Sequence, residues 1–203
     1  MLVSNRMTKD PITVSPDDLL INAKEKMEGG RFHRVPVVSE GRLVGIITDR
    51  DMRAHVGYLA KTKVNGAMTE KALTIKSSAT LEEAAQLLLK HQIGGLPVLE
   101  NGHLVGIITT SDVMKAFLDA MGASEPASAR IDFILEGEEH GLMEASRIVA
   151  REGSVISGVG TYREKFGENP VCYLRILGGD TERLAKALRA AGFDILGVHG
   201  IAG

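Results

Sequence analysis

Cysteine is nearly absent from this 203-residue chain, tryptophan is missing altogether, and aromatic side chains make up only 4% of it. The one thiol, Cys172, excludes an intrachain disulfide and a thiolate metal cluster, and its apolar surroundings in the sequence predict a core side chain. The six histidines (His33, His55, His91, His103, His140 and His199) show neither the i, i+4 pairing of a helical zinc site nor a three-ligand spacing, so no metal centre is expected. Charge of one sign is lacking too. With 24 basic and 26 acidic residues and no run of lysine and arginine, the composition argues against a nucleic-acid partner. No stretch approaches the apolar length of a membrane span, and residues 1–8 lack the apolar centre of a secretion signal, which predicts a cytoplasmic protein with no membrane partner. Against these absences stands a 44% hydrophobic composition, ample for buried cores in one large or two small domains.

The strongest positive feature is a repetition. Gly41-Arg42-Leu43-Val44-Gly45-Ile46-Ile47-Thr48-Asp49-Arg50-Asp51 returns as Gly102-His103-Leu104-Val105-Gly106-Ile107-Ile108-Thr109-Thr110-Ser111-Asp112. The match runs without a gap at an offset of 61 residues, and 15 of the 47 positions from Met7 to Arg53 are identical to their counterparts. Such a period means one structural unit present twice, the two copies packing together because neither buries its apolar face alone. Each copy opens with a short extended piece, Ile12-Thr13-Val14 or Leu73-Thr74-Ile75. An amphipathic helix follows, marked by Leu19, Leu20, Ala23 and Met27 or by Leu81, Ala84, Ala85 and Leu88. Thr80 and Glu83 form a capping box for the second helix, and Asp17 or Asp18 is expected to cap the first. Apolar strands then begin at Val35-Pro36-Val37-Val38 and Leu96-Pro97-Val98-Leu99, their prolines removing a donor from the backbone.

Thr48-x-x-Asp51 and Thr109-x-x-Asp112 each end a buried strand and start a helix. The hydroxyl and carboxylate of such a tetrad can simply cap that helix. The same atoms can also serve a ligand, since free amides attract phosphate and a carboxylate accepts the two hydroxyls of a ribose. Spacing alone leaves both readings open.

With Gly-hydrophobic-hydrophobic-Thr-x-x-Asp after a proline strand, at residues 45–51 and 106–112, the first 118 residues resemble the cystathionine-beta-synthase (CBS) domain family, whose repeats pair as a Bateman module. The resemblance implies two clefts around a pseudo-twofold axis that bind AMP, ADP, ATP or S-adenosylmethionine. Asp51 and Asp112 would hold ribose, and Thr48 and Thr109 would reach phosphate. By position, Thr13, Thr74, Val35 and Leu96 would line the adenine slots. His33, Arg34 and Arg50 stand in the first repeat where the second has Gly94, Gly95 and Ser111, so the clefts are expected to differ in charge, the first tetrad favouring ligands with more phosphate.

Residues 119–130 read as a linker, small and irregular, with Pro126 unable to continue a helix. Beyond it the patterns run strand (Ile131, Phe133, Leu135), helix (Leu142, Ala145, Ile148, Val149, ended by Gly153), strand (155–159) and strand (171–177). A helix capped by Asp180 and stopped by Gly192 follows, then a strand over 193–198. That βαββαβ order is the ferredoxin-like pattern. With Gly141-Leu142 at the first helix start, where His140 stands in place of a proline, the segment resembles an ACT domain, a regulatory module that pairs with a second copy. The whole chain is then an α/β (α+β) protein: CBS repeats over 1–60 and 61–118, a linker over 119–130 and an ACT-like domain over 131–203.

This arrangement, including Gly122-Ala123-Ser124-Glu125-Pro126 in the linker, resembles AcuB-type acetoin-utilisation proteins. The resemblance implies a regulatory, non-catalytic homodimer that senses an adenosine ligand and acts on a metabolic enzyme partner. Two alternatives remain: a structural dimerising adaptor without ligand, and a small enzyme whose site would be built on Glu138, Glu139 and His140, the one crowded titratable group of the second half.

Overall fold

The computed structural model describes residues 1–125, 127–134, 141–163, 165 and 169–200. It divides into two compact units, Met1–Met114 and Lys115–Gly203. Pro126, Leu135, Glu138, Glu139 and His140 lie outside the described residues.

The first unit carries the duplication. Its elements are β1 (Thr8–Lys9), α1 (Leu20–Gly30), β2 (Arg34–Ser39), β3 (Arg42–Thr48), α2 (Asp49–Met52), β4 (Thr69–Glu70), β5 (Ile75–Lys76), α3 (Leu81–His91), β6 (Gly95–Glu100), β7 (His103–Thr109) and α4 (Thr110–Ala120), the last running into the second unit. Two sheets form, in the orders β2-β3-β4 and β1-β7-β6-β5. Each repeat lends its opening strand to the other. β1, from the first repeat, pairs antiparallel with β7, and β4, from the second, pairs antiparallel with β3. Gly45 and Gly106 permit this approach, since a Cβ on either would stand 2.8 Å from the Thr69 carbonyl oxygen or 2.9 Å from that of Thr8.

The exchange extends to the cores. Val64, at the start of the second repeat, is fully buried with Val14, Leu20, Val35, Val37 and Ile47 of the first. Val3, its counterpart 61 residues earlier, is buried as well and donates its amide to the Ala79 carbonyl at 2.9 Å. Helix α3 carries the expected box: the Thr80 hydroxyl accepts from the Glu83 amide at 3.2 Å and the Glu83 carboxylate accepts from the Thr80 amide at 2.8 Å. Helix α1 departs from expectation. It begins at Leu20, so Asp18 is spent on the preceding turn, accepting from the Ser15 amide at 2.9 Å, and Asp17 pairs with Lys63 at 2.7 Å. Asn22 takes over, its side chain accepting from the Leu19 amide at 3.2 Å.

The second unit contains β8 (Ala129–Ile134), α5 (Gly141–Arg151), β9 (Val155–Tyr162), β10 (Val171–Leu177), α6 (Thr181–Ala190) and β11 (Ile195–Gly200), with one antiparallel sheet in the order β11-β8-β10-β9. Ile131 and Phe133 of β8 join Cys172, Leu174 and Ile176 of β10 in a core with Ala145 and Ile148 of α5 and Leu184 and Leu188 of α6. Asp180 caps α6, accepting from the Arg183 amide at 3.0 Å. The last strand starts two residues later than its apolar letters imply, because Phe193 turns inward to stack edge-on against Phe133 at 5.1 Å between ring centroids. The alternate residues of β8 and β10 form a polar array. Arg130 donates to Asp132 at 2.6 Å and its guanidinium lies over the ring of Tyr173, 4.5 Å from the centroid.

Candidate functional site

At both tetrads the same three hydrogen bonds form. The Thr48 amide and hydroxyl donate to Asp51 Oδ2 at 2.9 and 2.7 Å, while the Asp51 amide donates to the Thr48 hydroxyl oxygen at 3.3 Å. In the second repeat the corresponding distances for Thr109 and Asp112 are 2.8, 2.6 and 3.3 Å. The capping reading is therefore correct as far as it goes, and it consumes only Oδ2. Oδ1 of each aspartate has no hydrogen-bond partner among the described residues, and both carboxylates line cavities. Each threonine hydroxyl has given its one proton to the aspartate, so it orients the carboxylate, and a phosphate would need other donors.

The cavities measure about 480 Å³ around Thr109 and Asp112 and about 430 Å³ around Thr48 and Asp51, within the range of small-ligand sites. Each is built from both repeats. The Asp112 cleft takes Thr8, Ile12, Phe32 and His33 from the first repeat, and the Asp51 cleft takes Thr69, Leu73, His91 and Ile93 from the second. Ile12 and Leu73, equivalent positions, are 50% and 38% exposed, an apolar side chain held open in each cleft.

This assembly regroups the residues singled out in the sequence. His33 lines the Asp112 cleft while staying attached to the first tetrad, its carbonyl accepting from the Asp49 amide at 3.0 Å and its ring contacting the Asp49 carboxylate at 3.5 Å. Arg50 stays with Asp51, whereas Arg34 lines both clefts. The expected charge asymmetry loses its basis, because Arg31, His33 and Arg34 face one cleft and Arg34, Arg50 and His91 the other. Val35 and Leu96 are fully buried core residues and line neither cleft, since the pleat of β2 and β6 turns them inward. Thr13 and Thr74 also stand outside. The Thr13 carbonyl accepts from Lys26 at 2.9 Å, and Thr74 lines a separate depression beside α3.

The residues missed were Thr8, Ile12, Arg31 and Phe32 with their counterparts Thr69, Leu73, Gln92 and Ile93, each pair 61 residues apart. Thr8 and Thr69 are identical, each after a methionine, a repeated pair that was the available signal for them. Burial draws the Arg34 guanidinium below its ordinary pKa, partly opposed by Asp49. Among the described residues no group of three or more His, Cys, Asp or Glu side chains is placed to hold a metal, and no helix is long and apolar enough to cross a membrane.

Two strand-exchanged repeats enclosing paired clefts, each with a half-engaged carboxylate, make up a tandem module. The chain belongs to the CBS domain family, which it matches at residues 3–58 and 63–119. It is 33% identical over 143 residues to a CBS domain-containing protein of Dictyostelium discoideum, covering 63% of this chain and 99% of that one. It is 29% identical over 215 residues to the inosine-5'-monophosphate dehydrogenase of Staphylococcus haemolyticus, covering 96% of this chain but only 42% of that enzyme. Among solved structures, CBSX2 of Arabidopsis thaliana in complex with AMP aligns with a TM-score of 0.53 at 31% identity, over 58% of this chain and 96% of that one. The CBS domain pair of protein MJ0100 in complex with 5'-methylthioadenosine and S-adenosyl-L-methionine aligns with a TM-score of 0.55 at 28% identity, over 62% of this chain and 98% of that one.

Proposed function

We propose that this protein is a regulatory, non-catalytic sensor whose two clefts bind an adenosine compound: AMP, ADP, ATP or S-adenosylmethionine. The observation that carries the reading is the free Oδ1 of Asp51 and of Asp112 at the wall of a ligand-sized cavity. Related CBS pairs in complex with AMP, and with 5'-methylthioadenosine and S-adenosylmethionine, support it. Asp51 and Asp112 accept the ribose hydroxyls, with Thr48 and Thr109 fixing their geometry. Ile12 and Leu73 meet the adenine, and the cations Arg31, His33, Arg34, Arg50 and His91 meet phosphate. The second unit is an ACT-like domain, a reading supported by its strand order 4-1-3-2 with both helices in one core. It relays cleft occupancy in a cytoplasmic homodimer to a metabolic enzyme partner, with the AcuB resemblance pointing to acetoin or related carbon metabolism.

Thermal unfolding with a panel of the four ligands tests the sensing step. A compound at 100 times its dissociation constant should stabilise the folded state by about 2.7 kcal/mol through linkage. Unchanged melting with all four at millimolar concentration would overturn the reading.

A further inference from the structure

The two clefts have two lining residues in common, Arg34 and Gly94. At the 61-residue offset, Arg34 corresponds to Gly95 and His33 to Gly94, so the second repeat carries no side chain where the first carries two cations. The Arg34 side chain fills that vacated space. A Cβ placed on Gly94 would stand 2.6 Å from Arg34 Nη1, and one on Gly95 would stand 2.7 Å from the same atom and 2.9 Å from Arg34 Cδ. A single guanidinium of the first repeat therefore lies against the Gly94-Gly95 backbone of the second, at the boundary of both cavities. Arg34 is half-buried, it makes no hydrogen bond among the described residues, and the charge of nearby Asp49 offsets part of the cost of its burial. It is a cation held ready between two sites.

We propose that Arg34 is a phosphate contact shared by the two clefts, so that a phosphate-bearing ligand in one weakens the binding of a second such ligand in the other. The proposal rests on the reading of both clefts as adenosine sites. Hydrogen bonds from a guanidinium to phosphate are charge-assisted and about twice as strong as neutral ones. The fork is rigid, and it swings as one body on the side-chain stem. The ligand that arrives first takes this contact, and the second meets a cleft short of one cation and next to an added anion. Coupling of this kind is reciprocal, whichever cleft fills first. An adenosine without phosphate makes no demand on Arg34, so two such ligands bind independently. The remaining cations do not create this link, since of the two clefts Arg31 and His33 line only that of Asp112, and Arg50 and His91 only that of Asp51.

Calorimetric titration of the full chain with AMP and with adenosine tests the idea. Asp112→Ala and Asp51→Ala each disable one cleft and give the affinity of the other with its neighbour empty. Titration of the unaltered protein gives that affinity with the neighbour filled. For AMP the filled-neighbour affinity should be about five-fold weaker or more, whereas for adenosine the two values should agree. Arg34→Met, which keeps the apolar stem and removes the charge, should abolish the AMP difference. Gly94→Ala, which displaces the guanidinium without touching Arg34 itself, should reduce it. Independent AMP binding in the unaltered protein, or coupling that survives Arg34→Met, overturns the shared-cation proposal while leaving the sensing function intact. Failure of both AMP and adenosine to bind sinks the sensing function and this proposal together.

Discussion

Each tetrad aspartate spends one oxygen on its cap and leaves the other for the proposed ligand, and the division can be tested at the residue itself. Asp112→Ala removes the acceptor that holds the Thr109 amide and hydroxyl, and with it the free Oδ1. Loss of a charged hydrogen bond should weaken the bound nucleotide by about 1.5 to 3 kcal/mol, and loss of the cap should lower stability by about 1 kcal/mol. Calorimetry and thermal unfolding read the two effects separately, and an undiminished affinity would mean that Oδ1 meets no ribose. In the second unit, burial, aided by the charge of Asp132, pushes the Cys172 thiol up to about 11 from its ordinary 9.0. The unfolded chain therefore ionises first, so the thiol's contribution to stability is intact below pH 9 and is lost as pH rises toward 11. Cys172→Ala should flatten that part of the stability curve, and native Cys172 should resist disulfide reagents at pH 8. The tetrad residues were legible because they occur twice. Val35 and Leu96 were misassigned because an apolar strand residue beside a cleft and one beneath it carry the same letters.

At the scale of elements, the helices and longer strands announced themselves through period, whereas β1 and β4 could not, since two residues carry no period at all. Yet these short strands decide which repeat supplies which cleft wall. Linear spacing set His33 beside the first tetrad, where it does touch Asp49, but the packing of the two repeats also makes it a wall of the Asp112 cleft. Gly45→Ala and Gly106→Ala test the crossing. Each new Cβ would press on a backbone carbonyl, Thr69 or Thr8, that cannot rotate away. The cost should be about 1 to 3 kcal/mol by analogy with overpacking, read as a lower melting temperature, while Gly41→Ala, with open space around it but a φ of 75°, reports backbone strain alone. Equal, negligible effects at Gly45 and Gly106 would mean that the strands part without loss.

For the whole molecule, the edges of the second sheet bear on association. The outer strands β9 and β11 carry Val155 and Leu196 at 64% and 51% exposure, apolar side chains on edges that no further strand covers among the described residues. Light scattering at micromolar concentration should give about twice the 21.7 kDa chain mass, and a single-chain mass would contradict the dimer. The duplication itself was plain in the letters, and the backbone keeps it where the letters have diverged. Asp10 and Lys71, Arg31 and Gln92, and Glu40 and Asn101 all share a positive φ near 50° at the same 61-residue spacing. The exchange of β1 and β4 has a mechanical consequence. Pulled from its ends, the first unit cannot unspool one half before the other, because the opening residues of each half are stitched into its sibling, and a bound ligand adds a rivet through the same seam.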